Sequence, residues 1–301
     1  MRIVKNILIV ILVLAVFACV LGGIAGMSVY SVYKDPGSAV QKTVDNEYLE
    51  TLHSSIIESV KKTMMLISLD YSVFEDNVSF DEIDSLAVES LEVIYSRIFY
   101  STDKALPDYK SDKLLNAIQT SIDEYAKENG LTVEEGSADE VYKYICEDIQ
   151  AHVHVLGEQY LSKISFIHKY FAVLKYSYVP FAAAFICGAL IFIIKRRNIF
   201  SALNIVSTAC YAGSFLPFVI SVIMLSRNYI SGIALTDGVL RELFIRIYNM
   251  VLLSIRNVSM IIFIPSAVIL IVDIFLLAAY GSRNTKNNNI DNSTDNKLPA
   301  E

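Results

Sequence analysis

Charged residues are scarce in this 301-residue chain, where Lys, Arg, Asp and Glu together make up 19%. A soluble globular protein carries about a quarter charged residues. Hydrophobic residues make up 54%, and the mean hydropathy is +0.46. This balance excludes disordered, collagen-like and secreted disulfide-rich proteins, and four long apolar runs predict an all-α, multi-pass membrane protein.

Cysteine is also sparse, with four residues in the chain. Cys19, Cys187 and Cys210 fall inside apolar runs, which leaves Cys146 alone in the long segment between the first two runs. One thiol cannot staple its own domain, so packing must hold that segment together. We expect Cys146 to be a buried thiol on a helix, with a disulfide between two chains as the alternative.

Sequence signatures of catalysis are absent. The chain contains no glycine-rich phosphate loop, no H-E-x-x-H and no G-x-S-x-G. The S-x-x-K pattern occurs at 59–62 and 101–104, but its partner motifs S-D-N and K-T-G are missing. The sequence therefore predicts neither an enzyme nor a cofactor site.

Histidines give the only pattern that resembles a metal motif. His152 and His154 are two residues apart, and on a helix such side chains point about 200° away from each other. Asp148 with His152, and His154 with Glu158, have i,i+4 spacing and share a face. Neither pair has further ligands identifiable from the sequence, so we predict solvated helix faces and no metal.

Four long apolar runs are candidates for bilayer-spanning helices, and they cover residues 7–25, 179–194, 199–225 and 258–280. A span needs ~20 apolar residues, because the hydrocarbon core is ~30 Å thick and each helical residue rises ~1.5 Å. The second run is short unless Tyr176 and Tyr178 lie at the interface. The first run exceeds the core of about 7–15 residues in a signal peptide, so we predict an uncleaved anchor; a cleaved signal peptide and a lipoprotein are the alternatives.

Basic residues lie at one set of run ends, and these are Arg2, Lys5, Lys195, Arg196, Arg197, Arg283 and Lys286. Cytoplasmic segments of membrane proteins carry an excess of Lys and Arg. We therefore predict a cell-membrane protein whose N- and C-termini are both cytoplasmic. The segment between the first two runs is then extracytoplasmic.

This segment, residues 31–175, contains 13 basic and 26 acidic residues. Its net charge of −13 repels nucleic acid and anionic headgroups. Apolar residues recur every three or four positions in four stretches, which predicts four amphipathic helices. Ser79 and Ser137 begin capping boxes, and Gly130 follows the third helix. We predict a four-helix bundle whose fourth helix continues into the second span, with Gly157 as a weak point.

The sequence thus predicts four parts: an anchor at 1–30, an acidic helical domain at 31–175, a three-span membrane domain at 176–283, and a disordered cytoplasmic tail at 284–301. Within the membrane domain, the outer segment 226–257 has interleaved apolar and charged residues. This pattern predicts an amphipathic helix, which lies at the interface or extends the fourth span.

One acid, Asp273, lies deep inside a predicted span. An ionised carboxylate there is costly unless it is paired or reached by water, which makes such a residue a functional candidate. Asn204 and Lys195 are the candidate partners at similar depth. A purely structural role for Asp273, either protonated or hydrogen-bonded between helices, is the alternative.

The layout predicts a binding or interaction protein of sensor or accessory type, whose outer domain engages an extracellular ligand or an envelope partner. It is also similar to the layout of permease subunits of the macrolide-exporter and cell-division type, which work with a separate cytoplasmic ATPase. The similarity covers topology and no motif, and the turn at 195–198 is short for docking an ATPase. A permease-like subunit is therefore the alternative function.

Overall fold

The computed structural model describes residues 2–164, 166–227, 232, 235 and 237–294, with side chains described as far as Leu276. This part of the chain is all-helical and contains no strand, which confirms the predicted class. Its helices are α1 (Arg2–Tyr33), α2 (Pro36–Thr43), α3 (Asn46–Leu66), α4 (Ser72–Glu75), α5 (Phe80–Tyr100), α6 (Asp112–Asn129), α7 (Ser137–Val153), α8 (Glu158–Ile164), α9 (Ile167–Leu174), α10 (Tyr178–Ile194), α11 (Ile199–Arg227) and α12 (Gly238–Thr294).

Four helical stretches among these residues are long and apolar enough to cross a membrane: Ile3–Tyr33, Ile167–Ile194, Ile199–Arg227 and Gly238–Leu276. The first three contain the predicted runs at 7–25, 179–194 and 199–225, and the fourth contains residues 258–276 of the run predicted at 258–280. The second stretch is interrupted between α9 and α10, where the chain makes a turn before Tyr178. The membrane-protein prediction is thus supported by length and composition.

The chain divides into two compact units. We call the first the apolar unit; it consists of Met1–Val29, Lys175–Arg227 and Leu252–Glu301. The second, the acidic unit, consists of Tyr30–Leu174 and Asn228–Val251. Helices α1 and α12 each contribute residues to both units, because each continues through a unit boundary without a break.

In the apolar unit, α1 supplies a central stripe of buried side chains, Val16, Val20 and Ile24. Their i,i+4 spacing keeps them on one face of the helix. Gly213 of α11 lies against this stripe, and a Cβ atom built there would be 3.1 Å from the carbonyl oxygen of Phe17. Glycine is therefore needed for the close approach of α11 to α1.

Helices α1 and α10 run antiparallel in this unit. The ring of Phe181 lies directly on Gly23, where a Cβ atom would be 2.8 Å away. One turn further out, the hydroxyl of Ser177 is 3.7 Å from the sulfur of Met27. The next helix, α11, packs on α10 after a short turn and consequently runs parallel to α1.

The core of the acidic unit is built on α3. Its buried side chains are Tyr48, Leu52, Ile56, Val60 and Met64, all with 0% exposed surface. The period of four residues places them on one face, as predicted, and this face packs on α7. Helix α7 in turn packs on α6 and α5. The amphipathic pattern was therefore sufficient to predict which side of α3 is buried.

Helix ends agree with the predictions only in part. The hydroxyl of Ser111 accepts a hydrogen bond from the backbone of α6, which ends before Gly130 at a φ of +67°. Helix α5 begins after Ser79, but the side chain of Ser79 makes no capping hydrogen bond. Ser137 is the first residue of α7 rather than its cap, which is Gly136. The two predicted capping boxes are therefore not formed.

The helical domain contains more helices than the four predicted. The first predicted helix is divided into α2 and α3, because the Asp45 side chain accepts a hydrogen bond from the Tyr48 amide and starts a new helix. The fourth does not continue into the second span: α7 ends at Val153, and α8 begins just after Gly157. The prediction of a continuous fourth helix was therefore wrong, whereas the predicted weak point, Gly157, lies at the break between α7 and α8.

The extent of α12 differs at both ends from what the sequence predicts. Its first turns, up to Val251, belong to the acidic unit, where Val239 and Leu243 are buried. Within the predicted segment 226–257, residues 238–257 are helical and continue without a break into the fourth candidate span. The backbone remains helical to Thr294, inside the tail predicted as disordered. Residues 295–301 lie outside the described residues.

Candidate functional site

Asp273 is the predicted site residue with the most unusual surroundings. It lies on α12 in the apolar unit and exposes only 3% of its surface. Its Oδ2 atom is buried and has no hydrogen-bond partner among the residues that the structure describes. A buried polar atom without a partner costs about 1–3 kcal/mol, so its presence calls for an explanation.

The depth of Asp273 follows from contacts between α12 and α1. The hydroxyl of Ser254 donates a hydrogen bond of 3.0 Å to the carbonyl oxygen of Ser28. Further along α12, Ile262 lines the same cavity as Val20, which shows that the two helices run antiparallel. Along α12, Asp273 is as many residues from Ser254 as Ile9 is from Ser28 along α1. Asp273 and Ile9 therefore lie in the same layer of the apolar unit.

Asn204 lies in the same layer. On α12, the ring of Phe263 packs on three aromatic rings of α11, with centroid distances of 5.1, 5.7 and 5.4 Å to Tyr211, Phe215 and Phe218. These rings are centred on Ser214, so Ser214 is level with Phe263. Asn204 precedes Ser214 by as many residues as Asp273 follows Phe263. The Asn204 side chain accepts a hydrogen bond from Thr208 on its own helix, at 3.4 Å.

Lys195 also falls at this level. It caps the C-terminus of α10. Ser177 of α10 is level with Met27 of α1, and the two helices are antiparallel. Lys195 is as many residues from Ser177 as Ile9 is from Met27, so Lys195 is level with Ile9. Within the described part of the chain, however, no ion pair joins Lys195 to Asp273. The three candidates thus lie at one level of the apolar unit, but no contact between their side chains is observed among the described residues.

Buried serines continue from Asp273 along the two helices. They recur every seven residues, which is nearly two helical turns, and comprise Ser207, Ser214 and Ser221 on α11 with Ser259 and Ser266 on α12. The hydroxyl of Ser214 donates to the carbonyl of Cys210, at 2.7 Å, whereas the Ser259 hydroxyl has no partner among the described residues. We call these five serines and Asp273 the polar seam. The sequence analysis missed it, although the seven-residue spacing within apolar runs is visible in the sequence.

A cluster of charges holds the first turns of α12 in the acidic unit. The guanidinium of Arg246 forms an ion pair with Asp45, and its Nη2 atom lies 3.0 Å from Glu47 and 2.9 Å from Glu242. Asp45 and Glu47 lie at the junction of α2 and α3. Planar guanidinium groups suit several carboxylates at once, so Arg246 fastens α12 to this junction.

The acidic unit has a polar pocket of about 400 Å³, which we call the junction pocket. It lies between α3, α7 and the start of α12, and its lining residues are Ser55, Glu58, Ser59, Lys62, His152, Asp237 and Gly238. Beneath it, the hydroxyl of Ser59 donates to the carboxylate of Asp148, at 2.6 Å. The volume falls in the range of small-molecule sites, and the lining offers acidic, basic and hydroxyl groups.

The histidines make local structural contacts. The Nε2 atom of His53 is 2.5 Å from the Asp84 carboxylate, and that of His154 is 2.9 Å from the carbonyl oxygen of Pro107. The Nδ1 atom of His152 is 2.9 Å from the backbone carbonyl oxygen of Asp148 on its own helix, and the hydroxyl of Ser59 donates to the carboxylate of the same aspartate. Among the described residues no group of three metal-ligating side chains occurs.

The thiol of Cys146 lies buried on α7, as predicted. Burial raises the pKa of this thiol above its ordinary value. A thiol with a raised pKa is a poor nucleophile. Cys146 is therefore a packing residue of the acidic unit.

Comparison with protein-family models, with curated proteins and with solved structures finds no match for this chain.

Proposed function

We propose that this is a cell-membrane binding protein of sensor or accessory type, with an extracytoplasmic acidic unit and cytoplasmic termini. The orientation is supported by the basic residues at 195–197 and near both termini. The observation that carries the proposal is the continuity of α12, which contains both Arg246 of the acidic unit and Asp273 of the apolar unit. Helix α12 thus contributes residues both to the unit that contains the junction pocket and to the polar seam.

The length of α12 between these residues is about 40 Å at ~1.5 Å per residue. A continuous helix transmits a rotation or a shift of one end to the other, which a flexible linker would not do. Pro265 lies inside this helix and gives it a point of adjustment next to the seam. A binding event that moves the first turns of α12 would therefore alter the surroundings of Asp273.

The junction pocket is the site we assign to the ligand. Glu58 and Lys62 form an ion pair with each other at 2.7 Å, so Asp237 is the carboxylate that suits an amine and His152 is the group that suits a carboxylate. A small ligand that carries both groups, such as an amino acid or a short peptide, matches this lining. Because the pocket includes Gly238 at the start of α12, an occupant touches the transmitting helix directly.

The test uses full-length protein in lipid nanodiscs and a panel of amino acids and dipeptides. Binding is expected to stabilise the folded protein by about 2.7 kcal/mol when the free ligand is at a hundredfold excess over its Kd. The thermal midpoint should rise accordingly. Asp237→Asn should weaken the effect, whereas Glu50→Gln, an exposed acid on α3 outside the pocket, should not. Hydrogen exchange around residues 259–273 should change on binding. A panel in which no member shifts the midpoint would refute the assignment of the pocket.

A second candidate function, a permease-like subunit of an ATPase-coupled transporter or envelope complex, is favoured by the unpaired acid at Asp273. Intramembrane acids commonly serve ion or substrate pathways. Purification of the intact complex in mild detergent distinguishes the two functions. A stoichiometric cytoplasmic ATPase would support the permease, and its absence would support the binding protein.

A further inference from the structure

A groove of about 550 Å³ opens on the apolar unit, apart from the seam and the junction pocket. All its lining side chains are apolar. One wall is α10 from Phe181 to Ile193, and the other side is formed by Val20, Val206 and Ile262 of the three remaining helices. Its wall along α10 is about 18 Å long at ~1.5 Å per residue.

Small residues of α10 leave room for this groove. Ala184, Gly188 and Ala189 lie along its floor. A Cβ atom at Gly188 would be 3.5 Å from the Val206 side chain, an ordinary van der Waals distance, so α10 and α11 pack against each other at this position. Ala189 is exposed, and a larger side chain at this position would enter the open space.

Cations lie at one end of the groove. Its wall on α10 ends at Ile193, directly before Lys195, Arg196 and Arg197. The last two are exposed, and none of the three forms an ion pair within the described chain. Basic residues at the end of an apolar helix attract anionic headgroups of the bilayer.

We propose that this groove binds one acyl chain of an anionic phospholipid, with the headgroup phosphate held by Lys195, Arg196 and Arg197. The apolar lining fits a hydrocarbon chain, and the three cations supply the complementary charge for its headgroup. A second copy of this chain suits the site less well. The one acid among the described side chains of the apolar unit is Asp273, which is buried and cannot neutralise these cations.

Two photoreactive lipids test the proposal, a phosphatidylglycerol and a phosphatidylcholine that each carry a diazirine in one acyl chain. Full-length protein is reconstituted in vesicles that mix both unlabelled lipids, irradiated, and mapped by mass spectrometry. The phosphatidylglycerol probe is expected to label residues 181–193 and 206–210 preferentially. Ala189→Phe should reduce this labelling several-fold by filling the groove. Ala25→Phe, an exposed position of α1 outside the groove, is the matched control and should leave labelling unchanged.

The charge variants test the headgroup separately, because their side chains are exposed and unpaired. Arg196→Gln with Arg197→Gln should lower phosphatidylglycerol labelling by about fivefold for each charge removed, and should leave phosphatidylcholine labelling unaffected. Equal labelling by the two probes, or labelling that Ala189→Phe does not reduce, would overturn the proposal. Disulfide-linked dimers of Ala189→Cys would also overturn it, since a second copy would then cover the groove.

Discussion

Removal of the Arg246 guanidinium should release the first turns of α12 from the acidic unit. Arg246 exposes 13% of its side chain, and its partners Glu242, Asp45 and Glu47 expose 15%, 50% and 78%. The two exposed pairs contribute at most about 1 kcal/mol each. The pair with Glu242 lies within α12, so the two pairs with Asp45 and Glu47 are the ones that join α12 to the α2–α3 junction. We therefore expect Arg246→Gln to cost at most about 2 kcal/mol.

The matched control is Arg241→Gln on the same helix. Arg241 is exposed and makes no ion pair within the described chain, so its loss removes a charge of the same sign without breaking a contact. Circular dichroism of full-length protein in detergent gives the thermal midpoint. A loss of 2 kcal/mol lowers this midpoint by about 4–8 °C for a domain of this size.

A local measurement shows whether the loss occurs at α12. Hydrogen exchange of residues 238–251 should become faster in Arg246→Gln, while exchange in α6 and α7 stays as in the parent protein. If Arg246→Gln and Arg241→Gln gave the same midpoint and the same exchange, the ion pairs would not hold α12, and the reasoning would be refuted.

Three further predictions concern the seam, alkaline pH and topology. Asp273→Leu should stabilise the protein by about 1–2 kcal/mol in thermal unfolding, because it removes a buried oxygen without a partner; a loss of stability would reveal a structural hydrogen bond. Burial raises the pKa of Tyr95 from 10.0 to about 12, so its contribution to stability is fully present below pH 10 and lost as the pH rises to about 12. Tyr95→Phe should flatten this alkaline loss, whereas the exposed Tyr144→Phe should not. An impermeant thiol reagent added to intact cells should label a cysteine at Ser111 but not at Asn198, and the opposite pattern would reverse the proposed orientation.

The elements that were predictable from the sequence are those fixed by local chemistry. Apolar length identifies the four spans, and a four-residue period identifies the buried face of α3. Ser111 and Gly130 mark the ends of α6, because a hydroxyl cap and a left-handed glycine act on neighbouring backbone atoms. Such signals lie within a few residues of the structure they determine.

The elements that were missed depend on distant parts of the chain. Asp45 interrupts an otherwise periodic helix, and its carboxylate also pairs with Arg246, 201 residues away in sequence. A single sequence gives no indication of that pairing, so the assignment of the first turns of α12 to the acidic unit could not be predicted. The same reason applies to the candidate site. Asp273, Asn204 and Lys195 could be named as candidates from the sequence, but whether their side chains make contact depends on helix rotation, which a single sequence does not give.

The serines of the polar seam are a different case. Their seven-residue spacing is present in the sequence, but serine is common in membrane helices, where its hydroxyl bonds to its own backbone, as that of Ser214 does. The spacing gained meaning only when burial showed both rows facing the interior.

The central claim is that α12 couples the acidic unit to the seam, and a double-mutant cycle of Arg246→Gln and Asp273→Leu tests it most directly. Free energies of unfolding of the two single variants and the double variant are measured on full-length protein. When two sites about 40 Å apart are independent, the free-energy changes of their substitutions add within about 0.3–0.5 kcal/mol. Coupling through α12 predicts an interaction energy above this range, with additivity in the control cycle of Arg241→Gln and Asp273→Leu. Additive effects in both cycles would contradict the account.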